Sequence, residues 1–467
     1  MTPQEDLALP AALALPPDLE IGVATSAWQI EGAVAERGRC IWDDFAERPG
    51  TIADGSTGEP ACDHVHRLEE DLDVMARLGV DAYRFSISWP RVMPQGTGST
   101  SPAGLDFYDR LVDGLLARGI APVVTLYHWD LPSPLQEGGG WAGRAVAGHF
   151  AEYAGVVAER LADRVARWAT LNEPWCSAFL GHAAGVHAPG WRDGAAAFRA
   201  AHHLLLGHGW AVEQLRGRGA REVGIVLNLM PVVASTGAST GDAAGAAAAE
   251  HVDDIQNHLF LEPLAGRPVP ARLVARTQGL TDWSFVQPGD EKVMAAPLDW
   301  LGVNYYTVGR VASGWPAGGA GPGEQEAAFP GAPPMHFTPQ PPMTEMGWEI
   351  SPPGLVAALR LAHQALPELD LWVTENGAAT REDDDGTAVH DPERITYLRD
   401  HLDAVLTARQ AGLPVRGYYV WSLMDNLEWA FGWTKRFGLV RVEEGRQQRR
   451  EKDSAMWLRQ TLARRRS

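Results

Sequence analysis

Short apolar runs alternate along the chain with stretches that carry apolar residues at helical spacing. The runs are rich in Val, Ile, Leu and aromatic residues, and they predict eight strands at 21–28, 82–88, 121–129, 167–173, 222–229, 299–306, 371–377 and 415–423. Between the first two runs, apolar residues recur three or four positions apart and predict an amphipathic helix: Val65, Leu68, Leu72 and Met75. The predicted order is therefore strand, helix, strand, repeated along the chain.

One helix towards the C-terminal end has well-marked boundaries. The apolar residues from Ile395 to Val405 recur at helical spacing. They follow Asp391 and Pro392, so Asp391 is expected to be the N-cap and Pro392 the first helical residue. Gly412 predicts the end of this helix.

Eight strand and helix units predict an α/β fold, a (β/α)8 TIM barrel, because the strands of a buried parallel barrel form continuous apolar runs. No linker composition divides the chain, so we expect a single domain over residues 1–467. A long loop is expected at about 307–350, after the sixth strand, and its part from Ser313 to Pro342 is crowded with Gly, Pro and Ala. Such a loop on the carboxyl face tends to be functional, although the same composition also fits a disordered linker. A helix is expected to follow near Pro353.

Composition and charge narrow the classes of partner. Hydrophobic residues make up 45% of the 467 positions and charged residues 21%, which is typical of a globular protein with a large core. Asp plus Glu number 59 against 40 Lys plus Arg, a net charge of −19, which argues against nucleic acid as a partner. The N-terminal segment lacks a basic start and contains early acids and prolines. It therefore predicts neither a signal peptide nor a membrane span, and a cytoplasmic location without a membrane partner is the expectation.

The cysteines and histidines do not indicate a metal site. Three cysteines lack metal-ligand spacing and cannot all pair, so reduced thiols are expected: Cys40, Cys62 and Cys176. Five histidines lack helical ligand geometry and a clear third ligand, so they are expected on helix surfaces or in packing: His64, His66, His202, His203 and His208. Neither a metal nor a cofactor is expected.

Polar and aromatic side chains gather where the predicted strands end. They are Gln29, Arg84, His128, Asn172, Glu173, Asn304, Tyr306, Glu375 and Trp421. One such residue alone is more often a hydrogen-bonded part of the structure. The carboxyl ends of barrel strands all open onto one cavity, however, and TIM-barrel active sites lie there. This convergence favours a shared site.

Two of these groups, Glu173 and Glu375, are carboxylates. A carboxylate pair that flanks a bond is typical of glycoside hydrolysis, where one group protonates the leaving oxygen and the other attacks the anomeric carbon or activates water. Pro174 disfavours the helical region for the residue before it, so we expect an extended backbone at Glu173. The 18 tryptophans fit the same chemistry, because indole rings stack on sugar rings. Three of them are expected to fill the core instead: Trp42, Trp89 and Trp457.

Seven motifs that span nearly the whole chain resemble those of family 1 glycoside hydrolases of the β-glucosidase type, in the family's order. They are ATSAWQIEG (24–32), YRFSISWPR (83–91), LYHWDLP (126–132), TLNEPW (170–175), LGVNYYT (301–307), VTENG (373–377) and YVWSLMDNLEWAFGWTKRFGL (419–439). Each is weak evidence alone, but seven in register argue strongly against chance. The resemblance implies a retaining β-glucosidase that hydrolyses terminal non-reducing β-D-glucosyl residues through a covalent glycosyl-enzyme intermediate.

The resemblance also implies roles for the two carboxylates. Glu173 matches the acid/base of the family's Asn-Glu-Pro motif, and Glu375 matches its nucleophile. A nucleophile must stay ionised, which the cation of Arg84 and the phenol of Tyr306 would favour. Burial and the second carboxylate are expected to raise the pKa of Glu173, and this pKa should fall once Glu375 is consumed as an ester.

Further positions match the family's sugar-binding residues. Those that would hold the glycone hydroxyls are Gln29, His128, Asn172, Glu428 and Trp429, and those at strand ends beside them are Asn304 and Tyr306. Trp421 matches a stacking platform for the sugar. Trp348 matches more loosely a wall on the aglycone side, and Trp175 a neighbour of the acid. For Glu428 a solvated loop carboxylate is the alternative interpretation.

The implied substrates are small β-glycosides or short oligosaccharides, in keeping with carbohydrate metabolism and the degradation of cellulose and other polysaccharides. Glucosides, galactosides and fucosides all remain open for the glycone, as does transfer to alcohols, and the sequence does not indicate an oligomeric state. A catalytically inactive sugar-binding member would lack one glutamate, and a thioglucosidase would resemble this pattern with glutamine in place of Glu173. Because both glutamates are present, neither alternative is favoured.

The loop after the eighth strand bears on phosphorylated sugars. Members that cleave 6-phosphosugars resemble this chain but show a Ser, a Lys and a Tyr there. This chain has Lys435, which also occurs in neutral-sugar members, but Phe437 in place of the Tyr and Glu428 and Trp429 beside them. We therefore expect cleavage of unphosphorylated β-glucosides.

Overall fold

Eight parallel strands close into a barrel, each paired with its neighbours in chain order and the last with the first. The computed structural model describes residues 9–235, 242–315, 319, 321–443 and 445–466. The barrel strands are β1 (Glu20–Ala24), β2 (Ala82–Ser86), β3 (Ala121–Tyr127), β4 (Arg167–Asn172), β5 (Glu222–Asn228), β6 (Trp300–Asn304), β7 (Asp370–Asn376) and β8 (Val415–Trp421). The predicted (β/α)8 barrel is confirmed.

Helices lie between the strands, with their apolar residues buried. The longer ones are Leu68–Leu78, Pro102–Ala117, Ala145–Leu161, Gly194–Gly217, Ala243–Asp253, Pro352–Ala365, Pro392–Gln410 and Asp453–Arg466. Short helices are Ala27–Ile30, Ile41–Ala46, Trp89–Val92, Ser133–Glu137, Leu259–Leu264, Ala271–Thr277 and Asp290–Met294. π-Helical segments are Cys176–Ala184 and Asp254–His258, and 3₁₀ turns are Val34–Glu36, Gly140–Ala142, Glu326–Ala328 and Trp429–Thr434. The helix predicted from Val65 begins at Leu68, and the helix predicted near Pro353 begins at Pro352.

All eight predicted strands exist, but each ends before its predicted end. β1 ends at Ala24, whereas the sequence predicts residue 28, and β3 ends at Tyr127, whereas it predicts residue 129. After Ala24 the chain instead forms the helical turn Ala27–Ile30. The apolar runs continue past the hydrogen-bonded ladder because residues beyond the strands still line the interior.

The helix Pro392–Gln410 begins at the predicted proline and Asp391 is its N-cap as predicted, but the side chain of Asp391 makes no capping hydrogen bond. The carboxylate of Asp391 instead accepts hydrogen bonds from the side chain of Arg394 at 2.8 Å and from Ser454, through its N–H at 2.8 Å and its hydroxyl at 2.6 Å. A buried guanidinium competes successfully with the peptide N–H groups, because hydrogen bonds between charged groups are stronger. Gly412 follows the helix with φ +87°, as a C-terminal stop requires.

The long loop after β6 is partly ordered into secondary structure. Within its described residues, strands Gly309–Ser313 and Met335–Phe337 form a three-stranded sheet with Val232–Ala234. Two further small antiparallel pairs join Asp383–Asp384 with Val389–His390, and Val440–Val442 with Arg449–Glu451. The three-stranded sheet disfavours a disordered linker for the described part of 307–350.

The amino end of the barrel is closed by Arg167. Its guanidinium lies 4.0 Å from the ring centre of Trp372, and its Nη1 donates to Glu20 and to the hydroxyl of Tyr419, each at 2.9 Å. The three tryptophans expected in the core are fully buried: Trp42, Trp89 and Trp457. With this end filled, the carboxyl end is where the barrel presents its polar side chains.

Candidate active site

Glu173 and Glu375 stand at the carboxyl ends of β4 and β7, with 5% and 3% of their surfaces exposed. The register of both strands is irregular near these ends: between Ala169 and Asn172 against β5, and between Val373 and Glu375 against β6. Irregularities of this kind are common next to active sites, where they re-aim a side chain. Here each irregularity lies at the strand end that carries one of the two carboxylates.

Glu375 receives a donor on each oxygen. Arg84, from β2, donates from Nη1 to Oε1 at 2.7 Å, and the hydroxyl of Tyr306 donates to Oε2 at 2.6 Å. Burial, and then the charge of Glu375, raise the pKa of Tyr306 well above its usual value, so the phenol keeps its proton and remains a donor. Both partners favour the ionised form of Glu375.

The backbone of Glu173 is not extended, contrary to the expectation from Pro174. Its φ is +46°, in the left-handed region that non-glycine residues rarely adopt. The N–H of Glu173 donates to the carbonyl of Val226 at 2.9 Å, and the N–H of Cys176 donates to the carbonyl of Glu173 at 3.0 Å. Proline disfavours the right-handed helical region for the residue before it, and the turn from β4 into the next helix takes the left-handed alternative. Such strained positions cluster at functional sites.

Among the described residues, the hydrogen-bond partners of the Glu173 carboxyl group are uncharged. Asn304 donates to Oε1 at 2.6 Å, and the thiol of Cys176 lies 3.1 Å from Oε2. Burial and then the neighbouring Glu375 raise the pKa of Glu173 to about 8, although the bonds from Asn304 and Cys176 and the charge of Arg84 act in the opposite direction. Glu173 is therefore mostly protonated at neutral pH.

Asn172 links the groups around the two carboxylates. Its Oδ1 accepts from Arg84 Nη2 at 2.6 Å and from Asn304 Nδ2 at 3.0 Å, so its Nδ2 is the atom that lies 3.0 Å from His128 Nε2. Burial and the charge of Arg84 lower the pKa of His128 well below its usual value. A neutral imidazole that accepts at Nε2 carries its proton on Nδ1, and this nitrogen has no protein partner among the described residues.

Asn304 is oriented by a residue that the sequence reasoning did not single out. The hydroxyl of Thr374 donates to Asn304 Oδ1 at 2.7 Å, which fixes the amide so that Nδ2 faces Asn172 and Glu173. Both amide hydrogens of Asn304 are thus used within the protein. Thr374 directly precedes Glu375 on β7. This strand therefore carries one carboxylate and, through Asn304, positions the other.

A cluster of aromatic side chains lines another side of the site. His128 lies 5.9 Å from Trp421 and 5.8 Å from Trp429, measured between ring centres, with 25° between the ring planes in each pair. Trp28 stacks on Trp429 at 5.8 Å, and Trp42 packs against the same Trp429 ring at 4.6 Å. Trp42 is therefore a core residue that also supports the wall of the site.

Glu428 is buried rather than solvated, so the alternative of a loop carboxylate in water is disfavoured. Burial, followed by the charges of Glu375 and Glu173, raises its pKa to about 8, while a hydrogen bond from Trp421 lowers it. Its Oε2 has no partner among the described residues. The N–H of Glu428 donates to the carbonyl of Gly432 at 2.8 Å, which holds the loop in a tight turn.

Gln29, in the helical turn Ala27–Ile30 that follows β1, reaches the same loop. Its Nε2 donates to the carbonyl of Leu427 at 2.7 Å and to Asn426 Oδ1 at 3.0 Å, while its Oε1 accepts from Ser26 at 2.5 Å. Asn426 in turn donates to the hydroxyl of Ser422 at 2.9 Å. Gln29 is thereby tied to the segment that carries Glu428.

The other aromatic residues lie towards the long loop. Trp348 packs on Tyr306 at 5.3 Å and on Phe437 at 6.2 Å between ring centres. Trp175, next to the Asn-Glu-Pro turn, packs on Phe329 of the long loop at 5.5 Å. The structure thus brings every predicted site residue to one end of the barrel.

The structure also accounts for the cysteines and histidines. The three cysteines are buried and free, and only Cys176 contacts a carboxylate of the site. Four of the five histidines are buried with hydrogen-bond partners, and His66 is exposed. In the ranges that the structure describes, no group of His, Cys, Asp and Glu could hold a metal ion. No helix there is long and apolar enough to cross a membrane.

Comparisons with known proteins cover nearly the whole chain. Residues 12–466 match the model of glycosyl hydrolase family 1. A bifunctional β-D-glucosidase/β-D-fucosidase of Bifidobacterium breve is 46% identical over 462 residues, which cover 96% of this chain and 98% of that protein. Thermostable β-glucosidase B of Thermobispora bispora is 45% identical and covers 97% of this chain and 91% of its own length.

Solved structures are similar over the same extent. The psychrophilic β-glucosidase of Micrococcus antarcticus has a TM-score of 0.92 at 43% identity, covering 97% of this chain and 98% of that one. The β-glucosidase of Thermotoga maritima in complex with deoxynojirimycin has a TM-score of 0.87 at 39% identity, covering 97% and 99%. The resemblance seen in the sequence motifs is confirmed, and the chain belongs to glycosyl hydrolase family 1.

Proposed function

We propose that this β-glucosidase works by retention, with Glu375 as nucleophile and Glu173 as acid/base. The observation that carries the assignment is the unequal bonding of the two carboxyl groups. Glu375 receives a guanidinium and a phenol, which favour a carboxylate, whereas the donors to Glu173 in the described part of the chain are uncharged and its pKa is raised to about 8. A pair of carboxyl groups whose environments differ in this way divides into an ionised member, suited to be the nucleophile, and a protonated member, suited to be the acid.

In the first step the Glu375 carboxylate bonds to the anomeric carbon while the glycosidic bond breaks. The leaving oxygen takes the proton of Glu173, and Glu375 becomes a glycosyl ester. The ester has lost the charge that helped to raise the pKa of Glu173, so this pKa falls. In the second step Glu173 takes a proton from water as the water oxygen bonds to the anomeric carbon, and the ester bond returns its electrons to Glu375.

The glycone would be held by groups that the protein leaves available. Asn172 keeps one amide hydrogen beyond its bond to His128, and His128 presents its Nδ1 hydrogen. Glu428 presents Oε2 as an acceptor for hydroxyl groups, and Trp421 offers an indole face. Asn172 at the 2-hydroxyl would strengthen its bond in the transition state.

Two predicted substrate contacts receive a different proposal. Because both amide hydrogens of Asn304 are used, we assign it to holding Glu173 and Asn172 rather than the sugar. The hydroxyl hydrogen of Tyr306 is likewise committed to Glu375. Both residues would then act on the sugar through the carboxylates.

The substrates are small β-glycosides with a neutral glycone, and Trp348 forms the aglycone wall. A fucosyl glycone is a second candidate, because a relative 46% identical is named a bifunctional β-D-glucosidase/β-D-fucosidase. Fucose lacks the 6-hydroxyl group, so it would use fewer of the acceptors around Glu428.

The stereochemical course tests the proposal. Proton NMR during rapid hydrolysis of an aryl β-glucoside should show β-glucose as the first product, before mutarotation. Glu375→Gln protein prepared in parallel should be inactive, which excludes a contaminating enzyme. Initial release of α-glucose would rule out the retaining roles.

A further inference from the structure

The thiol of Cys176 lies beside the proposed acid/base. Its sulfur is 3.1 Å from Glu173 Oε2, and Asn228, at the end of β5, donates to the same sulfur from Nδ2 at 3.5 Å. We infer that Cys176 is a positioning residue, whose thiol holds the carboxyl group of Glu173 and stabilises its ionised form. This inference rests on the proposed role of Glu173.

The local fold explains how a residue three positions later reaches the carboxyl group. Pro174 begins a helix, and side chains on a helix lean towards its N-terminal end. Cys176, the first residue of the π-helical segment Cys176–Ala184, therefore turns its sulfur back towards Glu173. Its backbone N–H also donates to the Glu173 carbonyl at 3.0 Å. Cys176 thus makes two hydrogen bonds to Glu173, one through the main chain and one through the side chain.

The hydrogen bond between the two side chains can reverse with protonation. When Glu173 is ionised, the thiol donates to the carboxylate. When Glu173 is neutral, Asn304 already donates to Oε1, so the acidic proton belongs on Oε2, where the sulfur accepts it. A bond to a charged acceptor is stronger than one between neutral groups, so the ionised form gains more. Sulfur is also a weak acceptor, so the thiol does not withhold the proton from a leaving oxygen.

Other charged and titratable groups also act on Glu173. Glu375, from β7, opposes its ionisation and Arg84, from β2, favours it. Glu428 and Tyr306 also interact with it electrostatically. A substitution at Cys176 leaves all four in place, so a change in the titration of Glu173 would report on the thiol.

The experiment measures kcat/KM for 4-nitrophenyl β-glucoside against pH, where the alkaline limb reports the acid of the free enzyme. Cys176→Ala removes the donor and should move this limb upward by roughly half a pH unit to one unit, the equivalent of one hydrogen bond. Cys176→Ser keeps a hydroxyl donor and should leave the limb at or below its wild-type position. Cys40→Ala, at another buried cysteine, is the matched control and should leave it unmoved. Cys176→Val serves if the alanine variant does not fold.

A further variant separates the two claims. Glu173→Gln should abolish the alkaline limb; if the limb persists there, the proposed role of Glu173 fails. If it disappears in Glu173→Gln but is unmoved in Cys176→Ala, only the role of Cys176 is overturned. An equal upward shift in the serine and alanine variants would also overturn that role, because it would show a packing effect.

Discussion

Arg84 and Glu375 meet across the barrel, with Nη1 2.7 Å from Oε1, although β2 and β7 are not neighbours in the sheet. The pair is buried, and burial of two charges is costly unless each is further hydrogen-bonded. Arg84 also binds Asn172, and Glu375 also binds Tyr306, so both conditions are met. Arg84 is thus a buried cation held directly against the Glu375 carboxyl group.

Removing the phenol of Tyr306, which donates to Glu375, should slow hydrolysis. Tyr306→Phe loses a hydrogen bond to a charged group, which is worth about 1.5–3 kcal/mol and corresponds to a fall of roughly 10- to 100-fold in kcat/KM. Steady-state kinetics with an aryl β-glucoside would measure it. Tyr305→Phe, which removes the phenol of the adjacent residue, bonded to the carbonyl of Ser351 at 2.7 Å, is the control. Unchanged kcat/KM in Tyr306→Phe would show that the phenol does not support Glu375.

Loss of the acid should depend on the leaving group. Glu173→Ala should reduce kcat/KM severely for alkyl or disaccharide substrates and far less for 2,4-dinitrophenyl β-glucoside, because a good leaving group needs no proton. Rates across a series of aryl glucosides would give the dependence. A uniform loss across the series would contradict the assignment of Glu173.

The pKa of Glu173 should change during the catalytic cycle. In the free enzyme it is raised to about 8, so Glu173 is protonated at neutral pH and kcat/KM falls as pH rises through this value. Esterification of Glu375 by a 2-deoxy-2-fluoroglucoside removes one cause, and the pKa of Glu173 should fall by roughly one unit or more. Carbon NMR of protein with labelled glutamate carboxyls, with Glu173→Gln for assignment, would show both values. Equal values before and after esterification would contradict the coupling.

Neutral glucosides should be preferred over their 6-phosphates. The pKa of the buried Glu428 is already raised to about 8, and a phosphate beside it would repel its carboxylate form and oppose its ionisation further. Lys435 is already bonded to the carbonyl of Glu345 at 2.7 Å. The measurement compares kcat/KM for 4-nitrophenyl β-glucoside and its 6-phosphate. Glu428→Gln should narrow the difference, whereas a wild-type preference for the phosphate would overturn this role of Glu428.

The barrel could be predicted because its signals are local. Each strand is a run of apolar residues, and eight of them alternating with helical patterns allow few other folds. The strand ends and the bonding of the Asp391 side chain could not be predicted, because they depend on distant partners. Asp391, for example, is bonded to Ser454, 63 positions away in the chain.

The site was predictable where a motif marks the chemical group, as at Glu173 and Glu375. The left-handed backbone of Glu173 was not, because proline excludes one region and does not choose between the others. Thr374 and Cys176 lie inside the motifs, but their roles depend on which atoms face each other across the barrel. The available signal for Cys176 was its position three residues after Glu173. This spacing brings the two side chains together only if the chain forms a helical turn after Pro174.

The most direct test of the two roles is rescue by azide. The Glu375→Gly variant should not hydrolyse glucosides. Azide that enters the space left by the Glu375 side chain should attack 2,4-dinitrophenyl β-glucoside from that side and yield α-glucosyl azide. In Glu173→Gly, azide should instead attack the glycosyl-enzyme from the acid's side and yield β-glucosyl azide. NMR of the products decides between the roles. The account predicts the α-azide from Glu375→Gly; normal hydrolysis by that variant, or β-azide from it, would contradict the assignment.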